Sequence, residues 1–380
     1  MKSNTSQKTR MLAFQHSIGR SKIRRKSLLL LTGIFLLLPA TVLQAQDDDH
    51  QPFLPSPVQS LSTVPSNGDV NPYGVAFVPP QFPKGGSVKP GDILVSNFNA
   101  SSNLQGTGTT IVDVPASGKT SLFFQSQTPA GLTTALNILR KGFVLVGNFP
   151  STDGTCGNAQ AGSILVINQD GQQVGSIADS LINGPWDSAL FDQGNSAKLF
   201  VANGLSGTVV RLDLDINSTG VSVDRVTQIA SGYLHQCDPV TFVDAPTGLV
   251  YDPDRDVLYV ASSADNAVFA VSDAGMTHKD QGTGRVIYED STHLHGPLGM
   301  IMAPNGHLVV ANNDAINPDP NQPSEIVEFT IGGRFVKEIS VDPNPGGAFG
   351  LAVMTQRDVA RFAAVDDNAS VLLIWTLSLP

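Results

Sequence analysis

The chain has 380 residues with 23 Lys and Arg, 33 Asp and Glu, 36 Gly, 25 Pro and two Cys. Eight of the basic residues and none of the acidic ones lie in 1–45, so the remainder carries a formal charge of −18. That balance excludes nucleic acid and anionic membrane surfaces as partners, since both demand basic patches.

The first 45 residues have the layout of a targeting segment. Arg20, Lys22, Arg24, Arg25 and Lys26 form a basic region, and 27–39 (SLLLLTGIFLLLP) is a short apolar run. The small residue at the end of TVLQA (41–45) offers a cleavage point. A membrane-spanning helix needs about 20 apolar residues, so a cleaved signal peptide is expected over 1–45 rather than an anchor. The Sec route fits better than the twin-arginine route, because Ser27-Leu28 departs from the twin-arginine pattern. Translation could start at Met1 or Met11. The product is then exported, periplasmic or extracellular, with no membrane contact beyond the leader. Residues 46–57 (QDDDHQPFLPSP) are acidic and Pro-rich and read as a disordered linker.

The chain from 58 to 380 repeats one phrase. Its clearest copy is PTGLVYDPDRDVLYVAS (246–262), two short apolar strands around a turn. The first half recurs as PYGVAFVP (72–79), LTTALNIL (132–139), PWDSALFD (185–192), PLGMIMAP (297–304) and AFGLAVMT (348–355). The second half recurs as ILVSN (93–97), VLVGN (144–148), LFVAN (199–203), LVVAN (308–312) and FAAVD (362–366). The spacing of roughly 50 to 60 residues is that of propeller blades. A third apolar and a fourth more polar run follow each pair, except that the sixth repeat lacks a fourth run. The stretch VQSLSTV (58–64) has no blade of its own, so it is expected to supply that strand and close the ring. The fold class is therefore all-β: a six-bladed β-propeller of four-stranded blades.

Two columns stand out in the alignment. Gly74, Thr134, Asp187, Gly248, Gly299 and Gly350 begin the inner strands, where glycine permits close backbone approach or an unusual φ. Asn97, Asn148, Asn203, Ser262, Asn312 and Asp366 end the second strands, where a short polar side chain can start a turn.

The phrase P-x-G followed by an alternating apolar run, then an apolar pair and V-A-N, resembles the NHL-type repeat and related six-bladed propellers over essentially all of 58–380. That resemblance implies the scaffold. It is shared by interaction scaffolds and by gluconolactonase-like, paraoxonase-like and streptogramin lyase-like enzymes, so it leaves function open. In the gluconolactonase-like enzymes a Glu of the first inner strand is a metal ligand. Here that stretch is NPYGVAFVP, without an acid.

Candidate site residues gather in the loops of one face. His235, Cys237 and Asp238 precede the fourth blade, and His293 and His295 the fifth. If 293–295 is extended, the two imidazoles share a side and can act together as base or ligand. Asn97, Asn148, Asn203, Asn312 and Asp366 form a candidate oxygen set for Ca²⁺ or Mg²⁺. Tyr73, Trp186, Asp187, Asn313 and Asp314 are candidate binding residues at the channel mouth. Loops 150–162, 231–245 and 313–323 are longer than the repeat needs, which marks a binding face. Cys156 and Cys237 lie in the first two, and an exported chain is expected to join them.

The leading expectation is a monomeric, non-catalytic exported propeller that binds a protein or small molecule through this face and needs no cofactor. The alternative is a Ca²⁺- or Mg²⁺-dependent hydrolase or lyase of the lactonase, arylesterase or streptogramin lyase-like type, with His293, His295 or His235 as general base.

Overall fold

A computed structural model describes Phe53, residues 59–115 and residues 117–379. The expected leader (1–45) and, apart from Phe53, the expected linker (46–57) lie outside the described residues. Six four-stranded antiparallel sheets form the blades, and a two-stranded hairpin is added to them. The inner strands are Val70–Phe77, Leu132–Leu139, Pro185–Asp192, Pro246–Asp252, Pro297–Met302 and Ala348–Gln356. The repeated apolar runs become the second strands, which are buried almost throughout, as between neighbouring sheets they must be. Among the described residues the one helix is a 3₁₀ turn, Cys156–Asn158.

The ring closes as the repeat count requires. Gln59–Ser62 pairs antiparallel with Val371–Ser378, placing Leu61 opposite Leu372 and completing the sixth sheet.

The glycine column is explained by crowding between successive inner strands. A Cβ on Gly248 would lie 2.1 Å from the Leu298 carbonyl oxygen, one on Gly299 2.4 Å from that of Phe349, and one on Gly350 1.9 Å from that of Tyr73. Each contact reaches the next blade, and the last crosses the closure from blade six to blade one. Close approach, rather than an unusual φ, is what these positions need. In blade two, where the column holds Thr134, a hydroxyl makes the neighbouring link: Thr134 Oγ1 donates to the Trp186 carbonyl, and nearby Thr133 Oγ1 donates to that of Pro185 at 2.9 Å.

Candidate functional site

The loop-rich face is closed at its centre by aromatic rings. Tyr73 stacks between Phe98 and Phe349, with centroids at 4.6 and 4.4 Å, and meets Trp186 edge-on at 5.6 Å. Phe149 and Phe242 complete the plug around Trp186. Phe242 arrives on the hairpin Gln236–Asp238 and Phe242–Asp244, which the repeat does not foretell. The expected Cys156–Cys237 bridge is present, with Cα atoms 5.4 Å apart, inside the usual range for that separation. It ties this hairpin to loop 150–162 and holds both against the plug, whose apolar cluster includes Cys156, Phe242 and Val243.

Tyr73 and Trp186, candidate binding residues at the channel mouth, are parts of this plug. They are 2% and 1% exposed, and both faces of the Tyr73 ring are covered by Phe98 and Phe349. Asp187, one residue further along the inner strand, lines the central channel beneath the plug and not the loop face.

Each Asn of the second column fastens the loop that leads into its own blade. Asn97 Nδ2 donates to Thr63 O at 3.2 Å, and Asn148 Nδ2 to Ala130 O. Asn203 donates to Leu181 O and accepts from Asn183 N–H, both at 2.9 Å. Asn312 donates to His293 O at 2.8 Å and accepts from His295 N–H at 3.1 Å. The neighbouring third strand supplies a further partner, such as Thr110 Oγ1 or Thr208 Oγ1. In blade four Ser263 links to Ala245 instead, and Asp366 accepts from Ala369 N–H at 3.2 Å within its own turn. As candidate cation ligands these five residues are thus engaged separately, blade by blade.

The histidines do not form a pair. Asp290 accepts the Leu294 N–H through its backbone and the Thr292 N–H through its side chain, which turns the chain at 290–294 and removes the extended geometry that would align 293 with 295. His293 is held by Asp290 Oδ2 at 2.6 Å and stacks on Phe335 at 3.8 Å. His295 points inward, its Nδ1 toward the Asn317 carbonyl and its Nε2 4.0 Å from Glu325 Oε1. His235 is exposed in the loop before the hairpin, with Nδ1 3.2 Å from the Tyr233 carbonyl oxygen. Asp314 Oδ2 accepts from Ser324 N–H and Gly346 N–H at 2.9 and 2.8 Å, so it pins loop 313–323 to its surroundings. Burial and the nearby Asp314 push the Glu325 carboxyl up to about 7. His295, Asp314 and Glu325 form a buried knot under that loop, outside the pockets described next.

The loop face does carry a pocket, beside the plug, of about 530 Å³. Asn313, named from the sequence, lines it together with Asn71, Asn99, Asn103, Asp367 and Asn368, and the edges of Tyr73 and Phe349. Its polar wall is a relay. Asn99 Nδ2 donates to Asn103 Oδ1 at 2.8 Å. In the amide orientation that satisfies its neighbours, Asn71 accepts from Asn99 Nδ2 at 2.7 Å and donates to the Asp367 carboxylate, 3.0 Å to Oδ2. Asn99 Oδ1 is left buried with no hydrogen-bond partner. Burial, with Asp366 beside it, pushes the Asp367 carboxyl up to about 8. The sequence signal for Asn71, Asn99 and Asn103 was weak, because all three fall outside the repeat columns. A positive φ at Asn71 and Asn103 explains why an Asn suits both places.

This wall does not suit a hard dication. Ca²⁺ takes six to eight oxygen ligands and several carboxylates as a rule. Asp367 is the one carboxylate in the pocket lining, and the Asn71 amide already caps it. Among the described residues no cluster of three or more His, Cys, Asp and Glu is arranged to hold a metal ion.

Comparison with solved structures finds chains of similar fold. One is a candidate gluconolactonase, 11% identical, with 86% of this chain and 94% of that one covered at a TM-score of 0.52. Another is a candidate glucose dehydrogenase-type oxidoreductase from Thermus thermophilus, 12% identical, with 83% and 99% covered at 0.51. A third is a calcium-binding regucalcin from Agrobacterium tumefaciens, 12% identical, with 86% and 98% covered at 0.49. At these identities the likeness is one of fold. No protein-family profile and no curated protein matches the sequence.

Proposed function

We propose that the protein is an exported, non-catalytic binding propeller whose loop-face pocket takes a small, uncharged molecule rich in hydroxyl or amide groups. The observation that carries this reading is the lining of the loop-face pocket of about 530 Å³, to which Asn71, Asn99, Asn103, Asn313 and Asn368 all contribute. Side-chain amides both donate and accept, so they match hydroxyls and peptide groups in either sense. The pocket volume falls in the range of small-molecule sites. The Cys156–Cys237 bridge supports export, since such bridges persist in oxidising compartments.

The test is calorimetric titration of the purified protein with a panel of mono- and disaccharides and N-acetylated dipeptide amides. At least one class should bind, and Asn103→Gly, which keeps the positive φ and removes the amide, should weaken it about tenfold. The reading is overturned if no member binds, or if the protein purifies with stoichiometric Ca²⁺ or Mg²⁺ and hydrolyses lactones or aryl esters in a chelator-sensitive way. The latter result would establish the hydrolase alternative.

A further inference from the structure

Beneath the plug lies a second cavity of about 430 Å³, enclosed by the inner strands of the six blades. It runs from just under Trp186 to the far ends of those strands, where Pro79, Pro80, Met302 and Met354 form its rim. Leu136, Leu249, Met300 and Leu351 line it from four different blades, and polar atoms make up about half of its exposed surface. Asp187 is the one ionisable side chain in that lining, and it sits at the plug end, next in sequence to Trp186.

The carboxyl of Asp187 is not accounted for by the scaffold. Its equivalents in four blades are glycines, and Thr134 in the fifth uses its hydroxyl to hold the next blade. Asp187 makes no such link. Its Oδ1 accepts from the adjacent Ser188 N–H at 2.6 Å, and among the described residues its other oxygen has no hydrogen-bond partner. The nearby amide of Asn137 is already engaged with Ser188 Oγ, also at 2.6 Å. A buried carboxyl that no cation faces among the described residues is costly unless something else completes it.

We propose that the central channel is a binding site for an organic ammonium ion with an apolar body, with Asp187 as its counter-ion. The charged nitrogen would reach the closed end, and the hydrocarbon part would lie along the leucine and methionine walls toward the open rim. Methionines at such a rim adapt their shape to different apolar bodies. Burial pushes the Asp187 carboxyl up to about 8, so the empty channel holds a neutral acid near pH 7. An ammonium ion entering with its own proton displaces the carboxyl proton to solvent and leaves an ion pair. This site is separate from the loop-face pocket, and the plug lies between them.

The test uses the full exported chain, with benzylamine and its uncharged analogue benzyl alcohol as probes. Calorimetry at neutral pH in two buffers of different ionisation enthalpy reads both affinity and proton release. Benzylamine should bind about ten- to hundredfold more tightly than benzyl alcohol and release close to one proton. Asp187→Asn is nearly isosteric and should abolish both the preference and the proton release while the circular dichroism spectrum is unchanged. Met300→Trp, which fills the channel, should remove binding of both probes without affecting any loop-face ligand. The proposal is overturned by an alcohol that binds as well as the amine, by an amine that binds Asp187→Asn unchanged, or by an amine that does not bind the wild type.

Discussion

Removing the disulfide tests how the loop face is held. In Cys156→Ser/Cys237→Ser the cross-link across an 81-residue separation is lost. The chain-entropy relation for a loop of that size gives about 4.5 kcal/mol of stability. For a β-domain of this length that is about 6 °C in Tm. The loss should also be local. The bridge seats the hairpin that carries Phe242, and Phe242 lies parallel to Trp186 with centroids 6.1 Å apart. The only two tryptophans, Trp186 and Trp375, are buried and report from different places, the plug and blade six. Urea unfolding followed by fluorescence should therefore show the double variant less stable, with red-shifted native emission. In a Trp375→Phe background, which isolates Trp186, the red shift should persist. A variant within about 1 kcal/mol of wild type, or one whose native emission is unchanged, would refute both the entropic argument and the seating of the hairpin.

Other positions make sharper, narrower claims. Gly350→Ala drives a methyl group to 1.9 Å from the Tyr73 carbonyl and should destabilise by about 2 kcal/mol or more in chemical denaturation, whereas Gly220→Ala, with open space around it, should be near neutral. Asn203→Ala removes hydrogen bonds to Leu181, Asn183 and Thr208 and should cost about 2–3 kcal/mol by the same measurement. Asp187 binds a proton more readily in the folded state, so its contribution to stability is full at low pH and is lost as pH rises from about 4, its unfolded value, to about 8. Relative to Asp187→Asn, the wild type should lose about 1.4 kcal/mol per pH unit between pH 5 and pH 7, read from paired urea curves.

The scaffold was legible because its causes repeat. Inner-strand crowding recurs, so glycine fills four of the six column positions, and the fastening of incoming loops recurs, so Asn fills four of six in the other. The unassigned VQSLSTV stretch was legible by subtraction, as a strand without a blade. The plug was only half legible. Tyr73 and Trp186 share a column, but Phe98 and Phe149 were overlooked although each follows a column Asn as an Asn-Phe pair. Phe242 could not be read from any column, since its hairpin interrupts the repeat. The histidine pairing failed for a local reason: Asp290 organises a turn, and a period-two argument holds only for extended chain. The pocket residues Asn71, Asn99 and Asn103 depend on three-dimensional proximity between the ends of neighbouring strands, which no periodicity encodes.

Pairing Gln59–Ser62 with Val371–Ser378 has a consequence for how the molecule is made. A solenoid gains stability repeat by repeat, and each new unit has a finished neighbour to rest on. Here the earliest-synthesised strand must wait, unpaired, until nearly the whole propeller has emerged. Until then blade six offers a bare strand edge, and the closing contact carries the loop-closure entropy of almost the entire chain. Nascent or truncated forms ending before Trp375 would therefore be sticky open rings. Pairing of the last strand with Gln59–Ser62 removes the exposed edge.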